Sequence, residues 1–443
     1  MVSKFFSSQS ASLRRHQHLS NALLVWLLTC SYPIFATSIT LDENEEYGET
    51  RSGLIPYAFS TEALGTAIGV GAFISGVRQA QSSLTMTGYT SNNDSWLFAG
   101  SLAKFRFSDY DRWYFNIFIL GAHFTDQRFY ASPAREFGNQ AGSNDSSPDD
   151  FITGISNDAN LEFGFNHPFA IGWGEKNPLT VFKTRKGLLV SEAQGGSHWN
   201  PMTSGLTTLG GRYFFRNRDL KEIPEDNLLA SNTNGMMLWL DYNNTDFPSN
   251  PSYGSRQKFT ISKDFGLANS SNSWSNLTLD VSKYYDLGTS RWFRQQVLAL
   301  NLWTSSTPSW DRDTGTDINH RAPPGYGAEL GGFDRLRAYP SNRFRDKSAV
   351  YYGAEVRLIP EINGLNTLPL LKHLEIDWWQ IVGFTEAGRV APKYNSDLFV
   401  EDLKWDVGLS FRIMAFRMPL RLDWAISEEG PSVWAMYEQT FTR

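Results

Sequence analysis

The chain has a single cysteine, Cys30, in 443 residues, so neither a disulfide framework nor a cysteine-bound metal organises it. Beyond the N-terminal segment its histidines, His123, His167, His198, His320 and His373, lie apart without ligand spacing, and none stands beside a serine in a nucleophile-elbow setting, which argues against a metal centre and a hydrolase. Asn92-Asn93-Asp94 and Asp149-Asp150 lack calcium-loop spacing and read as solvated turns. No enzymatic activity, catalytic residue, cofactor or metal is therefore expected. Charge is also scarce, at 19% of residues, and acids outnumber bases by 46 to 40, which removes nucleic acid as a partner. Long hydrophobic runs are missing: beyond the N-terminus nothing approaches the roughly 20 apolar residues of a spanning helix. What is abundant is aromatic, 14% of the chain with 15 tryptophans, a composition suited to a lipid interface.

Lys4, Arg14 and Arg15 precede a short apolar core, Ala22 to Leu28, and a small-residue exit, Ala36-Thr37-Ser38. This pattern predicts a cleaved secretory leader over residues 1–38 that carries Cys30 away with it. The next stretch, 39–53, is acidic through Asp42, Glu43, Glu45, Glu46 and Glu49, and reads as a flexible periplasmic tail.

From Leu54 to the C-terminus, residues 54–443, apolar and polar residues alternate with period two between clusters of Asn, Asp, Ser, Gly and Pro. Between 348 and 358, Val350, Tyr352, Ala354, Val356 and Leu358 share one face, while Tyr351, Gly353, Glu355 and Arg357 share the other. Trp405 to Ile413, Leu420 to Ile426 and Leu277 to Val281 repeat the pattern. A soluble sandwich also alternates, but rarely with strands this long and this rich in terminal Trp and Tyr. In an exported chain the pattern predicts an all-β transmembrane antiparallel barrel, with apolar residues toward lipid and charges in the lumen.

Candidate strands are 54–60, 65–75, 82–90, 96–107, 113–131, 157–168, 178–193, 206–217, 235–243, 255–265, 274–286, 293–303, 348–358, 373–389, 404–413, 419–427 and 432–441. A single-chain bacterial barrel closes with an even number, so about sixteen are real. The segment 178–193 is the one to discard, because Lys183, Arg185, Lys186 and Glu192 break its alternation. The long connections 132–156, 217–233 and 304–347 then fall outside the cell, and short ones such as 108–112 and 414–418 fall inside.

Gly331-Gly332-Phe333, then Leu336-Arg337-Ala338-Tyr339, then the strand from Ala349 to Arg357, resemble in this order the BamA/TamA superfamily of outer-membrane assembly and secretion barrels (bacterial surface antigens). That family's long sixth external loop carries a hydrophobic-Arg-Gly-aromatic tip followed by such a strand. Phe384, Glu386 and Gly388 look like its inner-wall motif, with Glu386 where Asp is commoner, and Gly408 to Arg412 and Leu422 to Ala425 look like its next two strands. Tyr437 and Phe441 stand where a C-terminal targeting strand would end. The resemblance is specific over 330–441 and rests on pattern alone before that.

Taken residue by residue, the resemblance implies a loop 304–347 folded into the lumen, with Arg337 pairing with Glu386 on the inner wall. Ala338 replaces the family's usual Gly, which implies an altered backbone at the tip. The interval from Ser38 to Leu54 is shorter than one of the family's periplasmic POTRA domains. The implied role is outer-membrane protein or lipid assembly or translocation, with outer-membrane lipid around the barrel and a separate periplasmic protein supplying the POTRA function. The alternative is a structural or channel-forming barrel. Gly65, Gly69 and Gly71 on one face of the second strand either make room for a luminal plug or weaken a seam between the first and last strands.

Overall fold

A computed structural model describes residues 38–61, 64–107, 112–130, 140–223, 232–311, 320–369, 371, 374–437 and 439–441. The leader lies outside the described residues apart from Ser38. Sixteen strands form one antiparallel sheet, each bonded to its sequence neighbours. They are β1 (Arg51–Thr61), β2 (Gly65–Ser75), β3 (Ser83–Ser91), β4 (Trp96–Phe105), β5 (Tyr114–Phe129), β6 (Ile152–Pro168), β7 (Leu206–Lys221) and β8 (Thr233–Thr245). The others are β9 (Gly254–Asp264), β10 (Trp274–Asp286), β11 (Phe293–Ser306), β12 (Ser348–Pro360), β13 (Trp378–Ala391), β14 (Lys404–Ala415), β15 (Met418–Ser427) and β16 (Gly430–Tyr437).

Alternation sorts the two faces of this sheet in the sense opposite to a soluble protein. Leu238, Leu240, Phe259, Ile261, Leu277 and Leu279 are exposed on one face, whereas Glu162, Arg216, Asp241 and Arg256 are buried on the other. Exposed aliphatic rows with charges inside are what a hydrocarbon solvent selects. The sheet curls around its charged face, because a cavity of about 370 Å³ there is lined from Leu97 of β4 through Trp303 of β11 and by residues 325–342 of the β11–β12 loop.

One end of the sheet, here the terminal end, holds the start of β1 and the finish of β16. The long connections 130–151, 222–232 and 307–347 leave from the opposite, loop end. The segment 178–193 is not a strand of the large sheet. Instead Thr180–Arg185 and Leu188–Leu189 form a separate small sheet with Ser38–Asp42, within the long β6–β7 connection at the terminal end. Two boundaries are corrected with it. The sheet begins at Arg51 rather than Leu54, and the acidic stretch is not a free tail, since its first residues pair with Thr180–Thr184.

The β14–β15 turn shows how the ends of the sheet approach one another. Phe416 and Arg417 both adopt left-handed backbone, φ 50° and 62°, in a two-residue turn that normally selects Gly or Asn. Their side chains account for the exception: the Phe416 ring packs 5.7 Å from Phe73 of β2, and Arg417 reaches Glu45 at 2.7 Å. Yet among the described residues no ladder joins β1 to β16. At the terminal end the β14–β15 turn rests against β2 and Glu45.

Candidate functional site: the loop anchor and the open edge

The inward rows of β12 to β16 carry an unusual charge order. Glu386 of β13 stands directly opposite Asp406 of β14, and Arg412 of β14 directly opposite Arg421 of β15. Like charges across a ladder repel, more so when buried, so something must be held between them. Between Glu386 and Asp406 that something is the tip of the β11–β12 loop, whereas Arg412 is held by Glu355 and Arg421 by Asp423 and the Phe333 carbonyl.

Leu336 takes a left-handed φ of 54°, which turns the two amides that follow it toward the wall as a small anion-binding nest. The Arg337 amide donates to Glu386 Oε2 at 2.7 Å and the Ala338 amide to Asp406 Oδ2 at 2.9 Å. The Arg337 guanidinium, with no solvent exposure, donates to Glu386 at 3.0 Å, Glu355 at 2.9 Å and Asp423 at 3.3 Å. Its Cζ lies 3.4 Å from the centre of the Phe384 ring, and the Arg337 carbonyl accepts from Trp434 Nε1 at 2.7 Å. One loop residue thus touches β12, β13, β15 and β16.

The left-handed residue is Leu336 and not Ala338, whose φ is ordinary, so the methyl group at 338 needs no altered backbone. Tyr339 is buried against Phe344 with ring centres 5.0 Å apart, and its hydroxyl donates to the Trp405 carbonyl at 3.2 Å. Gly388 leaves room for the loop: a Cβ there would sit 2.8 Å from the Val350 carbonyl and 3.0 Å from Leu330 Cδ1. A second arginine, Arg343, holds the loop to Glu429 of the β15–β16 turn at 2.9 Å. Burial pushes the Glu429 carboxyl above its ordinary range, and Arg343 opposes that shift.

Glu355 is the residue that sequence reasoning missed. Its Oε1 accepts from Arg337 and Arg412, and its Oε2 from Arg357 at 2.8 Å and Thr440 Oγ1 at 2.7 Å. Alternation had already placed it on the polar face. Its role as the joint between loop and C-terminus depends on partners far away in sequence.

The C-terminal expectation is corrected here. β16 ends at Tyr437, whose side chain lies outside the described residues, and residues 439–441 leave the strand for the lumen. Arg412 holds Gln439 Oε1 at 2.5 Å and Arg357 the Thr440 carbonyl at 3.1 Å, while Ser282 and Tyr284 hold the Phe441 carbonyl at 3.1 and 2.9 Å. Phe441 is buried rather than presented to lipid, in a slot that exists because Gly353 has no side chain: a Cβ there would lie 2.7 Å from the Phe441 ring. The buried guanidinia of Arg357 and Arg412 need acceptors beyond Glu355, and the tail supplies them.

The structure therefore brings Leu336, Arg337, Ala338, Tyr339, Phe384, Glu386 and Gly388 into one buried cluster, to which Phe441 is joined through Glu355 and Arg357. Among the described residues no group of His, Cys, Asp and Glu is placed to hold a metal ion. The cluster fixes the loop and the tail to the last five strands, beside an edge that has no ladder among the described residues.

A model of the Omp85 superfamily domain matches residues 100–432. Among solved structures, CdiB from Escherichia coli has 9% identity and a TM-score of 0.51, over 89% of this chain and 62% of that one. BamA from Haemophilus ducreyi lacking POTRA domains 1-3 has 12% identity and a TM-score of 0.48, over 89% and 69%. CdiB from Acinetobacter baumannii has 8% identity and a TM-score of 0.47, over 87% and 58%, so the chain spans about six tenths of either CdiB. The match to CdiB from Escherichia coli is a likeness of fold. No curated protein matches.

Proposed function

The chain belongs to the Omp85 superfamily of outer-membrane β-barrels, and from that premise we propose that it resides in the outer membrane of a Gram-negative bacterium and assists the assembly or translocation of outer-membrane proteins or lipids. A separate periplasmic protein delivers the cargo. The observation that carries this reading is the open edge: β1 and β16 are the ends of a sixteen-stranded sheet and share no ladder among the described residues. An unpaired edge at bilayer depth leaves backbone groups without partners, which is costly unless something else pairs with it. A strand edge is also a template for an incoming strand. The buried cluster on β12 to β16 stiffens one side of this opening, which leaves β1 as the side that receives cargo.

The test is a photo-activatable residue at Leu54 of β1, a residue 67% exposed. Adducts with other outer-membrane barrel proteins in growing cells are expected. Adducts with lipid alone, together with a stable open-pore conductance in planar bilayers, would move the assignment to a channel.

Sidedness is tested separately. The terminal end faces the periplasm in this reading, so an impermeant thiol reagent should label Ser143→Cys and Asn269→Cys on intact cells and leave Thr289→Cys unlabelled. Labelling at Thr289 on intact cells would invert the topology.

A further inference from the structure

The β6–β7 connection, 169–205, is longer than any other at the terminal end and reaches across it. Gly174 accepts from Arg112 at 2.6 Å beside β5, the Phe182 ring lies 5.2 Å from Phe247 beyond β8, and Gly187 accepts from Trp378 Nε1 at 3.2 Å at the foot of β13. Leu188 packs against Ile359, Trp378 and Met414. The segment forms a cap over that end, and its central strand is Thr180–Arg185.

Ser38–Asp42 lies on this strand in parallel register, Ser38 opposite Thr180 and Asp42 opposite Thr184. Leu41 is buried, its carbonyl accepts from Thr184 Oγ1 at 3.1 Å, and the Glu43 amide extends the ladder to the Thr184 carbonyl at 2.8 Å. Arg185 grips the Glu43 carboxylate through Nε and Nη2 at 2.7 to 2.8 Å, and Lys183 Nζ donates to the carbonyls of Asp42 and Glu45. This is a built site for an extended peptide, with a buried place for an apolar side chain and an arginine fork two residues on. In this structure the chain fills it with its own N-terminal segment.

We propose that Thr180–Arg185 is a strand-accepting edge, and that its own occupant is exchanged for an extended segment of a periplasmic polypeptide carrying an apolar residue at the place of Leu41 and an acid at the place of Glu43. The bound segment is short and parallel, a pairing less stable per residue than an antiparallel one, and its ion pair with Arg185 faces solvent, so a competitor has little to displace along the strand beyond the Lys104 contact to the Ser38 carbonyl and the Arg417 contact to Glu45 at its two ends. It is joined to β1 by a short connection, which gives it an effective concentration on the order of millimolar that a competitor must overcome. The periplasmic origin of the competitor rests on the sidedness proposed above; the exchange itself does not.

The experiment uses the full chain in detergent and a fluorescein-labelled peptide with the sequence of residues 38–49. Leu41→Asp places a charge in the buried pocket and should eject the bound segment. That variant is expected to bind the peptide at least tenfold more tightly than the unmodified chain, and adding Arg185→Glu should remove the gain. A peptide carrying the same Leu41→Asp change should not bind. Should Leu41→Asp abolish the compact band on a semi-native gel, Glu43→Lys, which alters only the exposed pair, serves instead and should raise peptide binding several-fold. A folded Leu41→Asp or Glu43→Lys chain that binds the peptide no better than the unmodified one overturns the proposal. Loss of cargo adducts at Leu54 with peptide exchange intact would overturn the assembly role alone.

Discussion

Arg337→Ala should cause the largest loss of stability available from one loop residue, about 3–5 kcal/mol, read as a lower unfolding midpoint in detergent and earlier loss of the compact band on heating. The change removes a guanidinium with no solvent exposure from three carboxylates, Glu386, Glu355 and Asp423, and leaves Glu386 facing Asp406. Arg337→Lys should recover little, because an ammonium cannot serve three acceptors in a plane or stack on Phe384. Glu386→Ala should cost less, since Arg337 keeps Glu355 and Asp423, and it relieves the repulsion with Asp406. The double mutant should fall short of the summed losses by about 0.5–3 kcal/mol, without matching the worse single, because Glu355 and Asp423 couple to Arg337 as well. Additivity within the error of the cycle would mean that the loop is held elsewhere.

A charge on the convex face should be nearly as damaging. Leu279 and Thr278 are neighbours on β10 with opposite orientation: Leu279 is exposed on the apolar face and Thr278 lines the cavity two residues from Asp280. Leu279→Arg should cost about 2–4 kcal/mol in a bilayer, the range for arginine on the lipid face of a barrel at mid-depth. Thr278→Arg should cost about 1 kcal/mol or less, the worth of the hydroxyl hydrogen bonds it loses. Folding yield into lipid vesicles across a denaturant series measures both. A soluble protein would reverse the order, since its exposed Leu279 would accept arginine freely. Equal losses would therefore refute the lipid-facing assignment.

The sheet was readable because period-two alternation is a property of each strand by itself. Val356 with Leu358, and Glu355 with Arg357, part to opposite faces whatever lies beyond them, and each later strand of the sheet overlaps an alternating segment. The broken pattern at Lys183, Arg185, Lys186 and Glu192 likewise marked 178–193 as foreign to the sheet. Arg337 and Glu386 stood out through the motifs around them, as parts of a loop tip and an inner wall.

What alternation could not determine was partnership. A strand's residues state which face is wet, but not whether a tail, a loop or a neighbouring strand will occupy it. Glu355 became a joint only when Arg337 and Thr440 arrived from 18 and 85 residues away, and Phe441 left the last strand because Arg357 and Arg412 needed acceptors in the lumen. The docking of Ser38–Asp42 on a strand more than a hundred residues later, and the lack among the described residues of a ladder between β1 and β16, are of the same kind. Local sequence determined the strands and their two faces, because steric alternation acts over two residues. Tertiary structure alone decided which edges among the described residues are filled and which are not, because buried charges and backbone groups are satisfied by whatever the fold brings within reach.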